Sequence, residues 1–462
     1  MELYSENKYY KLYHGSMLDM LEVIEPQTID SVVCDPPYEL NFMGKGWDRS
    51  GIAFQPDTWK RCYQVLKPGG YLLAFGGSRT FHRIACAIED AGFEIRDTIM
   101  WLYGSGFPKS LNLGKALDRK NGVDNIQHKG EWNFKHGNME EFWKRKKEYK
   151  KEEDKPLETD LAKQWQGWGT ALKPSFEPII VARKPFKGSL VDNVIEYGVG
   201  GINIDECRVK TEEEMKSCKR GSGVFSETAN GKITGWNKDD YNGDYQPNNL
   251  GRFPANTILT YDDTNYDEVC GGFPDTKSGT ISKEYKQNTR FNIAQKGKGG
   301  NLDYTNCYGD SGSACRYFYC AKASKKDRDE GLEEFEEKTA GQRTNRKEGS
   351  AGINAYAGAT GKAKNIHPTV KPTELMQYLV RLVSPDGATI LDPFNGSGST
   401  GKAVMYENKE RNKNYKYIGI ELTDEYLPIA KARIEYAINS NVLEENNDKK
   451  IEGQTTIFDF ME

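Results

Sequence analysis

The sequence predicts an α/β fold: a doubly wound, mostly parallel sheet with an inserted irregular domain. Three observations carry this prediction. Apolar strand-like runs alternate with helical runs over residues 1–108 and again over 366–440, the rhythm of a parallel sheet covered on both faces. A glycine loop stands between a strand and a helix in the second of these regions. Between them, residues 187–330 are rich in Gly, Asn, Asp and Tyr, with only short apolar pieces.

The elements follow in order. Ile29-Asp30-Ser31-Val32-Val33-Cys34 reads as a short buried strand. Asp57 to Leu66 reads as a helix, and Lys67-Pro68-Gly69-Gly70 as the turn that ends it. Tyr71 to Phe75 is a second apolar strand stopped by Gly76-Gly77, and Phe81 to Ala91 is an amphipathic helix closed by Gly92. Residues 109–165 lose the rhythm and read as a charged insertion, with a Lys-rich run at 144–151 leading into Glu152-Glu153-Asp154. Residues 166–186 bring back a strand at Phe176–Ala182, and 331–364 read as an acidic and then glycine-rich connection. From Pro372 the pattern gives a helix to Val383, a strand Ala388–Asp392, a glycine loop, a helix Lys402–Asn408, a strand Tyr417–Glu421 and a helix Asp424–Ile438. Residues 441–462 read as a tail.

Composition narrows the function classes. The 462 residues carry 37% hydrophobic and 29% charged side chains, the balance of a polar-surfaced globular protein. No apolar run approaches the roughly 18 residues of a membrane helix, so no membrane is expected as a partner. A net charge of −4 gives no global basic signature for a nucleic-acid partner. Nine cysteines without a C-x-x-C pair read as free thiols of a cytoplasmic protein, not as zinc ligands or disulfides.

Two motifs carry chemistry. Gly396-Ser397-Gly398-Ser399-Thr400-Gly401 fits G-x-G-x-x-G between a strand and a helix, and Glu421 ends the next strand. Glycine there allows a tight turn and close approach of a ligand, and a carboxylate ending the next strand can accept both ribose hydroxyls of an adenosine-containing cofactor. The pattern leaves NAD and S-adenosylmethionine both open. The residues Asp392-Pro393-Phe394-Asn395 favour the latter, because Asp392 would repel a pyrophosphate and attract an ammonium. The second motif, Asp35-Pro36-Pro37-Tyr38, directly follows the strand ending at Cys34. Two prolines stiffen the loop and remove two donors. The Asp35 carboxylate and the Pro36 carbonyl form an acceptor pair suited to an exocyclic amino group, and Tyr38 offers a flat face to a base.

Together, Asp35-Pro36-Pro37-Tyr38 and Asp392-Pro393-Phe394-Asn395-Gly396-Ser397-Gly398 resemble the DNA amino-methyltransferases, which methylate adenine at N6 or cytosine at N4. The catalytic loop precedes the cofactor loop, as in the circularly permuted beta class. Trp101–Pro108, Glu177–Val181 and His367-Pro368-Thr369-Val370-Lys371-Pro372 are similar to stretches of phage-like members. The resemblance implies a permuted, Rossmann-like S-adenosylmethionine-dependent methyltransferase fold. Its catalytic half is 1–108, its cofactor-binding half 366–440, and a target-recognition domain with its linker occupies 187–365. It implies that Asp35, Pro36, Pro37 and Tyr38 hold the flipped base. Ser16, Cys34, Asp35, Thr369, Lys371, Asp392, Pro393, Phe394, Asn395, Gly396, Gly398 and Glu421 would line the cofactor site. One departure stands out: His14-Gly15-Ser16 occupies the place of the family's usual Gly-Asp. The implied partner is double-stranded DNA, with Arg252, Arg316 and Lys322 as candidate contacts. No metal is expected, and a companion restriction nuclease and the oligomeric state stay open. Asp at the head of the catalytic loop favours adenine N6 over cytosine N4; an NAD-dependent oxidoreductase is the more distant alternative.

Overall fold

The computed structural model describes residues 1–40, 46–103, 110–123, 156–210, 251–261, 269–271, 273–277, 311–321, 325–338 and 362–440. The chain divides into two compact units, Ser105–Ser175 and the rest.

The larger unit is organised by one sheet. Its strands are β1 (Glu2–Glu6), β2 (Tyr10–His14), β3 (Ile29–Cys34), β4 (Leu66–Phe75), β5 (Glu94–Tyr103), β6 (Phe176–Arg183), β7 (Thr257–Thr260), β10 (Tyr319–Cys320), β11 (Thr389–Asp392) and β12 (Lys416–Glu421), while β8 (Asp275–Lys277) and β9 (Ser311–Ser313) pair separately. The spatial order is β1-β2-β12-β11-β3-β4-β6-β5-β7-β10. Most neighbours are parallel; β1 against β2, and β6 against both β4 and β5, are antiparallel. The fold class is therefore the mixed, mostly parallel α/β sheet read from the strand–helix rhythm. Two short strands from the irregular middle region, β7 and β10, extend this same sheet beyond β5.

Successive side chains on a strand face opposite ways, and the sheet uses both faces. Val33 joins the core formed with α7 (Thr373–Val383), α8 (Ser399–Glu410) and α9 (Leu427–Asn439). Its neighbours Val32 and Cys34 join the core formed with α1 (Pro56–Val65) and α2 (Phe81–Asp90). The helix after β11 thus covers one face, and the helix after β3 covers the other. Since β11 and β3 are adjacent and parallel, the chain leaves their carboxyl ends in opposite directions, the arrangement that opens a crevice in α/β sheets.

The short segment Lys67-Pro68-Gly69-Gly70 corrects one local expectation. It is not a free turn but the irregular start of β4, with a register shift against β3. Gly69 has φ +81, and a side chain at Gly70 would meet the Asp30 carbonyl at 2.8 Å, so glycine lets the bulge nest against its neighbour.

In the smaller unit, α3 (Leu113–Lys120) and α4 (Asp160–Gln164) pack together. Buried Asp118 joins them by accepting from Thr159 N–H at 3.0 Å and from its hydroxyl at 2.6 Å. The Lys-rich run at 144–151 lies outside the described residues. So does the tail. Among the described residues, no helix is long and apolar enough to cross a membrane.

Candidate active site at the rim of the sheet

The register of β3 on β11 pairs Ser31 with Ile390 and Val32 with Leu391. The loops that begin at Asp35 and after Asp392 therefore leave one rim side by side, although 357 positions separate them (392 − 35). The same rim carries the ends of β2 and β12, where His14 pairs with Glu421.

Asp35 is the centre of a charged cluster. Its Oδ2 accepts from the Lys371 ammonium at 2.6 Å, and its Oδ1 is buried without a hydrogen-bond partner among the described residues. Lys371 is itself 6% exposed, so it is a buried counter-ion and not a surface lysine. Its ammonium lies 3.5 Å from Glu177 and over the rings of Phe75 and Tyr38, at 4.9 and 5.3 Å from their centroids. Burial raises the Asp35 pKa; Lys371 pulls it down and Glu177 pushes it up. The Lys371 pKa is displaced by burial, which lowers it, but the carboxylates of Asp35 and Glu177 win and raise it.

Tyr38 is held from three sides. Its hydroxyl donates to Glu177 Oε2 at 2.8 Å. Its ring lies against Gly77, where a Cβ would come within 3.2 Å of Cδ2. Just beyond it, Asp48 accepts from Glu39 N–H at 2.8 Å and Leu40 N–H at 3.1 Å. Pro36 is buried and Pro37 half-buried, so proline stiffness and these anchors both fix the loop.

The glycine loop is built from its own carboxylates. Asp392, 2% exposed, accepts from Phe394 N–H at 3.0 Å and the Thr400 hydroxyl at 2.5 Å. Burial pushes its pKa up to about 7, with Asp35 and Glu421 adding to the rise. Glu421 accepts from Gly396 N–H and Thr423 N–H, both at 2.7 Å, and burial raises its pKa. Asn395 accepts from the Tyr417 hydroxyl at 2.7 Å. Phe394 packs at 6.1 Å from Trp59, with Pro393 before it. The three glycines differ in purpose. Gly396 (φ +52) faces His367, whose Nε2 a side chain would meet at 2.9 Å, whereas Gly398 (φ +74) sits against the backbone of Ala430 in α9. Gly401 admits Ile434 and Tyr417. Gly396 thus admits the His367 ring against the loop, while the other two let α9 and β12 pack close.

Other expected cofactor residues are placed as follows. Ser16 caps the turn Met17–Glu22, its hydroxyl accepting from Leu18 N–H at 3.2 Å, beside Gly15, whose N–H donates to the Glu421 carbonyl at 3.0 Å. Thr369 N–H donates to His367 Nδ1 at 3.4 Å. Cys34 is a correction: its side chain is fully buried in the α1/α2 core and its thiol is pushed well up by burial, because the strand alternation turns it inward. Its side chain has no exposed face to offer a ligand. Of the candidate DNA contacts, Arg252 bridges to Val209 and sets its guanidinium over Tyr317 at 5.2 Å. The backbone of Arg316 lies in the turn Ala314–Tyr317; its side chain and Lys322 lie outside the described residues. Among the described residues, no group of His, Cys, Asp and Glu could hold a metal ion.

Sequence reading missed four contributors. Glu177 interrupts an apolar strand just before a proline, a signal that was present. His367 rests between Gly396, Trp47 (stacked at 6.3 Å) and Tyr426 (edge-on at 4.7 Å); burial and the nearby cations Lys371, Arg433 and Arg328 lower its pKa to about 3, so it is neutral. Arg433, fully buried on α9, donates to the Ser397 carbonyl at 2.8 Å and to Ser399 at 3.1 Å. Asp327, on the short helix α6 (Lys325–Asp329), accepts from Lys402 at 2.6 Å and Thr373 at 2.5 Å. The last two had no local motif to mark them.

A family model described as DNA methylase matches residues 29–432. The type II methyltransferase M.HindIII of Haemophilus influenzae is 25% identical over 151 residues, 32% of this chain and 37% of that protein. The type II methyltransferase M.XycI of Xanthomonas campestris pv. cyanopsidis is 32% identical over 128 residues, 28% of this chain and 35% of that protein. The matched stretches thus span about a third of these curated relatives. Among solved structures, the PvuII DNA methyltransferase (cytosine-N4-specific) aligns over 96% of this chain and 93% of its own, at 12% identity and TM-score 0.38.

Proposed function

The chain belongs to the DNA methylase family, and on that premise we propose that it transfers a methyl group from S-adenosylmethionine to the N6 amino group of adenine in duplex DNA. One observation supports this most: the Asp35 loop and the glycine loop share one rim, on adjacent parallel strands at the crevice, with Asp35 Oδ1 buried and unpartnered. A buried acceptor without a donor is costly, and an incoming amino group would satisfy it.

The residues at hand fit the cofactor. Gly396 brings the loop backbone close to His367, Glu421 retains lone pairs for ribose hydroxyls, and partly buried Phe394, backed by the core residue Trp59, offers an aromatic face. When bound, S-adenosylmethionine supplies an electrophilic methyl. The chain's part is position and charge. The base leaves the stack at a cost of a few kcal/mol, and Tyr38 takes one face of it. Asp35 and the Pro36 carbonyl accept the two amino hydrogens, which draws the nitrogen lone pair out of ring conjugation and toward the methyl. Lys371 keeps Asp35 ionised. Adenine is preferred because an aspartate, not a serine, heads the loop.

The test is methylation of unmethylated duplex DNA by the purified chain with methyl-labelled cofactor, followed by digestion to nucleosides and mass analysis. N6-methyladenine is expected. N4-methylcytosine alone would overturn the base assignment. Asp35→Ala should abolish transfer while cofactor binding, measured by calorimetry, survives.

A further inference from the structure

Two carboxylates and one ammonium meet at the catalytic loop, so the charges do not cancel. Glu177 is the second carboxylate. The antiparallel register of β6 sets it opposite Trp101 and two residues before Ile179, the partner of Phe75, which brings it to the rim from the far side of β4. Pro178 fixes the backbone beside it. Both of its oxygens are used: Oε2 accepts from the Tyr38 hydroxyl at 2.8 Å and Oε1 from the Tyr103 hydroxyl at 3.3 Å. Lys371 stands 2.6 Å from Asp35 but 3.5 Å from Glu177.

Resting on the methyltransferase reading above, we propose that Glu177 is a positioning residue for the transfer, fixing the Tyr38 ring and keeping one net negative charge beside Asp35. The charge matters because of the balance of the step. The amino nitrogen forms a bond to the methyl carbon, the sulfur–carbon bond breaks with its electron pair on sulfur, and the nitrogen becomes cationic until one N–H proton passes to solvent water. With the Glu177 carboxylate in place, Lys371 is shared, and Asp35 keeps enough charge to stabilise that cation. With that carboxylate replaced by an amide (Glu177→Gln), Lys371 would cancel Asp35. The hydroxyl contacts do a second thing: they fix the plane of Tyr38, and with it the plane in which a stacked base would present its amino group.

The groups facing Asp35 are Lys371 from the segment before α7, Glu177 from β6, Tyr38 from its own loop, Asp392 from β11 and Cys34 from β3. Of these, Glu177 pushes the Asp35 pKa up and Lys371 draws it down. Removing the Glu177 charge therefore moves the acidic limb of the rate profile to lower pH, which a residue needed only for folding would not do.

The experiment measures kcat and the KM for unmethylated plasmid DNA across pH, for wild type, Glu177→Gln and Tyr38→Phe. Glu177→Gln is expected to lower kcat roughly ten- to a hundredfold, as misplacement in an active site does, with KM within about twofold and the acidic limb displaced downward. Tyr38→Phe, which loses the hydroxyl contact but no charge, should lower kcat without moving the limb downward, since the Tyr38 hydroxyl itself draws the Asp35 pKa down. A Glu177→Gln enzyme with wild-type kcat and an unmoved limb would overturn the proposal, as would a loss confined to KM. If Glu177→Gln fails to fold by circular dichroism, Tyr38→Phe decides: an unchanged kcat overturns the role of the contact. A wild-type chain that methylates no DNA would strike the methyltransferase reading instead, a result distinct from an active wild type beside an indifferent Glu177→Gln.

Discussion

Replacing Lys371 by Met removes the cation that two buried carboxylates share. The ammonium is 2.6 Å from Asp35 and 3.5 Å from Glu177, and the side chains are 7%, 18% and 20% exposed. Breaking a buried pair by deleting one partner costs about 3–5 kcal/mol. Partial exposure of Asp35 and Glu177 puts this case at the lower end, about 3 kcal/mol at neutral pH. The loss is conditional on charge. Lys371 lowers the Asp35 pKa, so in its absence Asp35 takes up a proton at a higher pH, and a neutral Asp35 no longer needs a counter-ion. The penalty should therefore shrink as pH falls. Two measurements follow: urea unfolding at about pH 5.5 and about pH 8, and the pH profile of methyl transfer, whose acidic limb should move up. That direction is opposite to the one expected for Glu177→Gln. Equal destabilisation at both pH values, together with an unmoved limb, would refute the view that Lys371 acts through the charge of Asp35.

Three further outcomes are expected. Gly398→Ala places a Cβ 3.0 Å from the Ala430 backbone at a φ of +74; left-handed strain of about 1–2 kcal/mol and overpacking of about 1–3 kcal/mol should appear as a lower urea midpoint, and an unchanged midpoint would count against the packing role. Arg433→Met frees the Ser397 carbonyl and leaves Asp327 with fewer partners, so stability should fall by about 3 kcal/mol and cofactor affinity, by calorimetry, should weaken. Asp392 has a folded pKa of about 7 against an ordinary 3.8, so the folded state binds more protons in that window. This group's stabilising share is present below about pH 4 and lost as pH rises through about 7, and Asp392→Asn should flatten that slope in urea titrations.

Much of the site was legible because its chemistry is local. A stiff Asp-Pro-Pro-Tyr loop after a buried strand, and a glycine loop followed by a strand ending in Glu421, each combine strand, turn and functional residue within a few positions. Gly396 and Gly398 carry one motif, yet a side chain at Gly398 would meet the Ala430 backbone and one at Gly401 would meet Ile434 and Tyr417, a clash that depends on which elements lie opposite. Cys34 sits beside Asp35 in sequence, but its side chain packs into the α1/α2 core, because both faces of the sheet at β3 are covered by helices. Glu177, His367, Arg433 and Asp327 act through partners dozens to hundreds of positions away, and no spacing rule reaches them.

The sequence by itself determined the strands that carry the two motifs and their near neighbours, which loops carry the acceptor and the glycines, and which family the pattern resembles, because these rest on short-range periodicity and backbone preference; the strands Glu2–Glu6, Tyr10–His14, Glu94–Tyr103, Thr257–Thr260 and Tyr319–Cys320 came only with the structure. Only the tertiary structure decided that β3 and β11 are neighbours, that Lys371 and Glu177 converge on Asp35, and that one carboxylate oxygen is left open. Those depend on strand order and burial, and buried charges find their partners through space, not along the chain.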